Sequence, residues 1–300
     1  MREPMLSDVM YLNKNNGTVY PLEISKYPSG EPLIKNFEIG ERPSAVLIRT
    51  AILEKFVSTM FWIDALAARG ETIPQLILPF VPGARQDRLN SSGDYLFTAK
   101  SIAQMINARN FPSVTVVDPH SEVTTALIDR CKVIHAADIV FRSIFSLCSH
   151  GYKGIIAPDG GAEKRAAKVA TILKLPLYHA WKTRDISTGN ISGFGFEDLD
   201  SGGRFLLVDD ICDGGGTFNG LAEAIYNQPK DVELDLFVTH GIFSQGFSKL
   251  FDNFTNIYTT DSLKQEGNID SIKTPINYPD KSRRERFEVI PICENLIRGF

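Results

Sequence analysis

In the string FLLVDDICDGGGTF, Phe205 to Phe218, an apolar run is followed by three carboxylates, three glycines and a threonine. Phe205 to Val208 predict a buried strand, with Asp209 and Asp210 at its end. Asp213, Gly214, Gly215, Gly216 and Thr217 then lead into a helix. Consecutive glycines let successive backbone N–H groups converge on a phosphate, and the positive end of the following helix adds to the attraction. Thr217 adds a hydroxyl donor. Carboxylates beside such a cradle repel the phosphate itself, so their natural partners are neutral hydroxyls, whose protons they accept, or a metal ion. A phosphorylated sugar satisfies both halves. Three glycines alone are also what a left-handed turn with capping aspartates requires; the complete string favours the phosphosugar.

Other loops after strand-like runs carry chemistry. In PFVPGARQDR, residues 79–88, Arg85 and Arg88 supply planar cationic forks and Gln86 an amide, a set suited to a polyphosphate or an adenine edge. TVVDPHSE places His120 between Asp118 and Glu122. APDGG places Asp159 before two glycines, where it is also a candidate N-cap for a helix starting at Ala162. Lys182 and Arg184 precede DISTGNISGFGFEDLDSGG, a polar, glycine-rich stretch that predicts a mobile loop or hairpin. Other nucleotide motifs fail: GDYLFTAKS has Asp94 and Ala99 where the phosphate-binding loop of nucleoside triphosphatases needs glycine, and GFGFED lacks the last glycine of the dinucleotide fingerprint.

VDDICDGGGT (208–217) resembles the phosphoribosyl diphosphate motif of the type I phosphoribosyltransferase fold, with Gly214 standing where that family usually has threonine. PFVPGARQDR resembles the ATP-binding loop of the ribose-phosphate diphosphokinases. YPSGE (27–31), TVVDPHSE (115–122), APDGGAEKRAAKVA (157–170), WKTR (181–184) and VTHGIFS (238–244) resemble further segments of that family, in family order. The resemblance implies that the β,γ-diphosphoryl group of ATP is transferred to the C1 hydroxyl of ribose 5-phosphate, giving 5-phosphoribosyl diphosphate and AMP.

Carried over by position, the resemblance assigns Arg85, Gln86 and Arg88 to ATP, and His120 to the ATP phosphates or their Mg2+. Imidazole is an unusual ligand for that hard ion, so contact through water or phosphate is an alternative. Asp159 would meet ribose 5-phosphate near a second metal. Asp209, Asp210, Asp213, Gly214, Gly215, Gly216 and Thr217 would hold the sugar phosphate, its hydroxyls at Asp209 and Asp210. Lys182 and Arg184 would be catalytic, meeting the transferred phosphoryl groups as a flap closes. Tyr27, Ser29 and Glu31 correspond to the adenine pocket of a neighbouring subunit, with serine where the family commonly has an acid or amide. A homo-oligomer is implied, often a hexamer in this family. The chain stops at Phe300 without the short tail that contributes to a regulatory phosphate and ADP site in many relatives, so weakened responses to both are expected. Two rivals are a phosphoribosyltransferase acting on a nucleobase, which shares loop 209–217 but not PFVPGARQDR, and a non-catalytic regulatory subunit associated with a synthetase.

The elements that must position these residues alternate. Strands are predicted at Ala45 to Ile48, Gln75 to Pro79, Val114 to Val117, Gly154 to Ala157, Arg204 to Val208 and Glu233 to Thr239. Helices are predicted at Lys55 to Arg69, Thr98 to Arg109, Ala162 to Leu173 and Phe218 to Asn227. This is the pattern of an α/β protein with mainly parallel sheets flanked by helices, whose ligands gather at the carboxyl ends of strands. Two similar phosphoribosyltransferase-type domains are expected: 1–141 on the ATP side, joined by 286–300, and 142–285 on the ribose 5-phosphate side.

A net charge of -4 gives no bulk attraction to nucleic acid or acidic membranes. The basic run Lys281, Arg283, Arg284 and Arg286 is interrupted by Glu285 and reads as a solvated face. Cys131, Cys148, Cys212 and Cys293 lack zinc or disulfide spacing, and no apolar run approaches the roughly 18 residues of a spanning helix, so a cytoplasmic enzyme is expected.

Overall fold

The computed structural model describes residues 7–35, 43–89, 96–144, 151–184, 191–229, 231–246, 248–264 and 286–299. The chain divides into two units, Met1–Ile134 with Asp261–Lys264 and Pro291–Phe300, and His135–Thr260 with Gln265–Ile290.

The first unit contains β1 (Val9–Asn13), β2 (Val19–Pro21), β3 (Glu23–Lys26), β4 (Pro32–Lys35), β5 (Pro43–Ile48), α1 (Leu53–Ala68), β6 (Gln75–Leu78), α2 (Thr98–Asn107), β7 (Val114–Val117), α3 (Glu122–Leu127) and β8 (Cys131–Ile134). Its main sheet has the order β2-β1-β5-β6-β7-β8. From β5 to β8 every pairing is parallel, while β1 runs antiparallel to both its neighbours. Parallel strands are covered on both faces, which is why β5, β6 and β7 read as nearly continuous apolar runs. α1 lays Phe56, Met60, Ile63 and Leu66, spaced three and four residues apart, into the core with Val46, Ile48, Leu76 and Val116. β3 and β4 form a separate antiparallel hairpin.

The second unit contains α4 (Ala136–Ile144), β9 (Tyr152–Ala157), α5 (Glu163–Leu173), β10 (Leu177–Arg184), β11 (Ile191–Phe196), β12 (Gly203–Cys212), α6 (Gly216–Tyr226), β13 (Val232–Gly241), α7 (Ser248–Phe251), β14 (Asn256–Thr260) and β15 (Arg286–Ile290). Its sheet has the order β11-β10-β9-β12-β13-β14-β15, parallel except for the β10–β11 hairpin. The chain leaves β9 through α5 to β10 on one side, and leaves β12 through α6 to β13 on the other. The carboxyl ends of β9 and β12 therefore flank a topological switch point, where open parallel sheets form a crevice for ligands.

Every predicted strand and helix is present, Val114–Val117 with its predicted ends and the others with shifted ones. The largest shift is in β12, which continues past Val208 to Cys212 because β13 pairs with it that far, Asp209 with Val238 and Cys212 with Gly241. The unit edges also differ from the expected 141/142 and 286. The first falls between Ile134 and His135, because α4 packs on α5. β15 pairs with β14 in the second sheet, so only Pro291 onward lies with the first unit. There α8 (Cys293–Arg298) is held by Asp261, whose Oδ1 accepts the N–H groups of Ile292 at 2.7 Å and Cys293 at 3.0 Å. Among the described residues no helix is long and apolar enough to cross a membrane.

Candidate active site

At the switch point of the second unit, Asp209 and Asp210 occupy the last part of β12 and Arg165 reaches them from the first turn of α5. Its Nη1 lies 3.3 Å from Asp209 Oδ1 and its Nη2 3.5 Å from Asp210 Oδ2. Asp209 Oδ1 also accepts the Asp210 N–H at 2.8 Å. Burial, followed by the neighbouring Asp210 charge, pushes the Asp209 carboxyl well above the usual carboxylate range, and Arg165 opposes both. The thiol of Cys212, two residues beyond Asp210 at the end of the strand, is pushed up to about 12 by burial and by Asp209 and Asp213, so it stays a thiol.

The glycine loop follows directly. Gly215 has φ +77, and a Cβ on it would sit 3.0 Å from Leu250 Cδ2, so both backbone and space call for glycine here. It caps α6, whose first-turn N–H groups have no partners within the helix. A Cβ on Gly214 would meet only Gln245 Cγ at an ordinary 3.5 Å, and one on Gly216 nothing within 4 Å. Gly214 and Gly216 are exposed, while Asp213 and Thr217 are half-buried. The loop is braced by VTHGIFS: Ile242 and Phe243 donate their N–H groups to the Cys212 carbonyl at 2.8 and 3.1 Å, and Ser244 donates to that of Asp213 at 3.1 Å.

Across the crevice, Asp159 follows β9. Its Oδ1 accepts from the N–H groups of Gly161 at 2.9 Å and Ala162 at 3.2 Å, and its Oδ2 from Lys182 Nζ at 2.7 Å. Asp159 thus closes the turn before α5 and does not cap the helix itself, whose N-cap is Ala162 with no side-chain bond; it also forms an ion pair with the expected catalytic lysine. Burial works to raise the Asp159 carboxyl, but Lys182 and the two N–H groups hold it below the usual range. Lys182 lies in β10 opposite Phe194 in β11, and Phe194 packs against Gly220 of α6. The hairpin carrying the lysine is thus seated on the helix that carries the glycine loop. The backbone of Arg184 ends β10, and its side chain lies outside the described residues; of the expected loop or hairpin 185–203, residues 185–190 also lie outside them, while Ile191–Phe196 forms β11, the hairpin partner of β10. Of the basic run, residues 281–284 lie outside the described residues and the backbone of Arg286 begins β15.

In the first unit the expected residues are exposed on loops. Arg85, Gln86 and Arg88 follow β6 in a turn where Gly83 has φ +73 and faces Thr98. The Gln86 side chain accepts the Thr98 hydroxyl, its main-chain carbonyl accepts the Ala99 N–H at 3.1 Å, and Arg88 Nε lies 3.6 Å from Asp87 Oδ1. His120 is exposed after β7, next to Asp118, a buried residue with φ +38. Tyr27, Ser29 and Glu31 sit at the exposed tip of the β3–β4 hairpin, where Ser29 donates to Glu31 Oε2 at 2.9 Å.

The described residues contain no group of three or more His, Cys, Asp or Glu side chains able to hold a metal by themselves. The expected Mg2+ usually binds through one or two carboxylates plus substrate phosphates. Asp159 fits that donor set, and an exposed imidazole at His120 does not favour direct ligation. Arg165 had no assigned role in the sequence, although it stands in APDGGAEKRAAKVA; a cation just inside a helix that follows a loop aspartate was the available signal.

No protein-family model matches the chain. The ribose-phosphate pyrophosphokinase of Pyrococcus abyssi is 28% identical over 235 residues, covering 77% of this chain and 80% of that protein. The protein of the same name from Sulfolobus acidocaldarius is 25% identical over 252 residues, covering 82% of this chain and 85% of its own. The crystal structure of phosphoribosylpyrophosphate synthetase from Mycobacterium smegmatis matches with a TM-score of 0.73 at 21% identity, covering 92% of this chain and 87% of that one. Pyrophosphokinase and diphosphokinase name the same transfer. Over most of its length, then, the chain resembles the ribose-phosphate diphosphokinases, and its two sheets have the phosphoribosyltransferase-type fold.

Proposed function

We propose that the protein is a ribose-phosphate diphosphokinase, transferring the β,γ-diphosphoryl group of ATP to the C1 hydroxyl of ribose 5-phosphate. The observation that carries the reading is the pairing, at one switch point, of a hydroxyl-accepting acid pair and glycine loop on β12 with Asp159 and Lys182 beside β9. The 5-phosphate is held by the backbone of Asp213 to Thr217. The ribose hydroxyls donate to Asp209 and Asp210, leaving the anomeric hydroxyl to attack the β-phosphorus and expel AMP.

Arg85, Gln86 and Arg88 bind ATP, together with His120; their exposure at the ends of β6 and β7 supports an anion-binding role. Lys182 neutralises charge on the transferred group, helped by Arg184, and Asp159 holds the ammonium in place until phosphoryl oxygens take over as its acceptors. When bound, Mg2+ at Asp159 and the phosphates would neutralise further charge. Positioning and charge neutralisation suffice, with no covalent enzyme intermediate. Tyr27, Ser29 and Glu31 are assigned to adenine bound by a neighbouring copy in a homo-oligomer, an assignment supported by their place on an exposed tip. The setting we assign is the cytoplasm. Purified protein given ATP, Mg2+ and ribose 5-phosphate is expected to release AMP only when all three are present; absence of AMP, or consumption of 5-phosphoribosyl diphosphate with a nucleobase, would overturn the proposal.

A further inference from the structure

We infer that Arg165 is a positioning residue for the pentose, clamping Asp209 and Asp210 at the spacing that reads two neighbouring ribose hydroxyls. The inference rests on the proposed sugar-phosphate site and adds a residue to it.

Successive residues of a strand point to opposite faces, so adjacent aspartates do not share a target by default. Here they do. The two outer nitrogens of one guanidinium reach one carboxylate each, at 3.3 and 3.5 Å. All three side chains are largely withdrawn from water, Arg165 at 9%, Asp209 at 14% and Asp210 at 5% exposure. In so little water the clamp is not screened as a surface ion pair would be. Two buried carboxylates this close repel one another; the cation between them offsets that repulsion and fixes their spacing, although burial still leaves the Asp209 carboxyl above the usual range. Only a planar fork spans both at once, since a lysine ammonium acts as a point charge.

Arg165 is also placed to coordinate the two walls of the crevice. It stands six positions after Asp159, whose carboxylate receives the N–H groups just before α5 and the ammonium of Lys182. One short stretch of chain, from the end of β9 into α5, therefore fixes both the acid pair and the Asp159–Lys182 pair. Nothing in the proposed chemistry needs Arg165 to touch substrate.

A site that hydrogen-bonds a substrate hydroxyl rejects the analogue lacking it by up to about 10⁴-fold, so sugar selectivity reads the clamp directly. The test compares the full-length protein with Arg165→Lys and Arg165→Met, using direct binding of ribose 5-phosphate and 2-deoxyribose 5-phosphate, KM for ATP and ribose 5-phosphate, and the unfolding midpoint. Arg165→Lys is expected to stay folded, leave KM for ATP unchanged and reduce the preference for ribose by about tenfold or more. Arg165→Met should reduce it further if it folds. Unchanged preference in folded Arg165→Lys would overturn the role of Arg165 alone. So would a parallel loss of affinity for ATP and both sugars. Wild-type protein that binds neither sugar phosphate would overturn the underlying site and the clamp together.

Discussion

The two units share a mainly parallel sheet with polar loops at the strand ends, yet they place their candidate residues differently. In the first, β5 to β8 follow one another in chain order, no switch occurs among them, and Arg85, Gln86, Arg88 and His120 stand exposed. In the second, the order reverses at β9, a guanidinium holds a carboxylate pair with little exposure, an ammonium pairs with a further carboxylate, and the glycine loop beside them is open at Gly214 and Gly216. Exposed cationic forks suit a large polyanion that brings its own charge and is bound by several weakly held arms. A small polyol needs acceptors fixed beforehand. The second unit should therefore govern turnover and sugar recognition, and the first should govern ATP affinity with little influence on stability.

That contrast breaks most visibly at Lys182. Lys182→Ala is expected to lower kcat by about 10²–10³-fold while leaving both KM values nearly unchanged, as measured by steady-state AMP release. Unchanged turnover would remove the residue from catalysis. Next, Arg85→Ala in the exposed loop should raise KM for ATP by about 10–100-fold, matching the roughly 1.5–3 kcal/mol of a charge-assisted hydrogen bond, with an unaltered urea midpoint. A large fall in that midpoint would mean that the first unit's loop is structural.

Gly215→Ala should combine a stability loss of about 1–2 kcal/mol, from an L side chain at φ +77, with a raised KM for ribose 5-phosphate and no change for ATP. Urea unfolding and KM measurements separate the two effects. The smallest change is expected from Gly214→Thr. Its Cβ would meet Gln245 Cγ at 3.5 Å, a contact without strain, and the added hydroxyl should lower KM for ribose 5-phosphate by about 2–10-fold. A raised KM would show that the open loop at Gly214 is itself required.

Much of this was legible from the chain. Apolar runs such as LILP and FLLV announce parallel strands, because both of their faces are covered, and the polar loops after them announce the site wall. The full length of β12 was not legible: its last residues, Asp209 to Cys212, look like loop but are held extended by backbone bonds to β13, a partner that local composition does not reveal. The same holds for β15, whose place beside β14 is a long-range pairing. Arg165 was hidden for a related reason, since its two carboxylates are 44 and 45 residues away in sequence and only the reversal at β9 brings them to it. Lys182 was legible as a cation before a glycine-rich stretch, whereas its seat on Asp159 came from the β9–β10 pairing.

The central claim is that a diphosphoryl group, and no smaller piece of ATP, is transferred to the C1 hydroxyl of ribose 5-phosphate. Phosphorus NMR of the protein with ATP, Mg2+ and ribose 5-phosphate tests it directly. AMP and a sugar-linked diphosphate are expected in equal amounts, with no ADP. Formation of ADP or orthophosphate from ATP without a sugar diphosphate would contradict it.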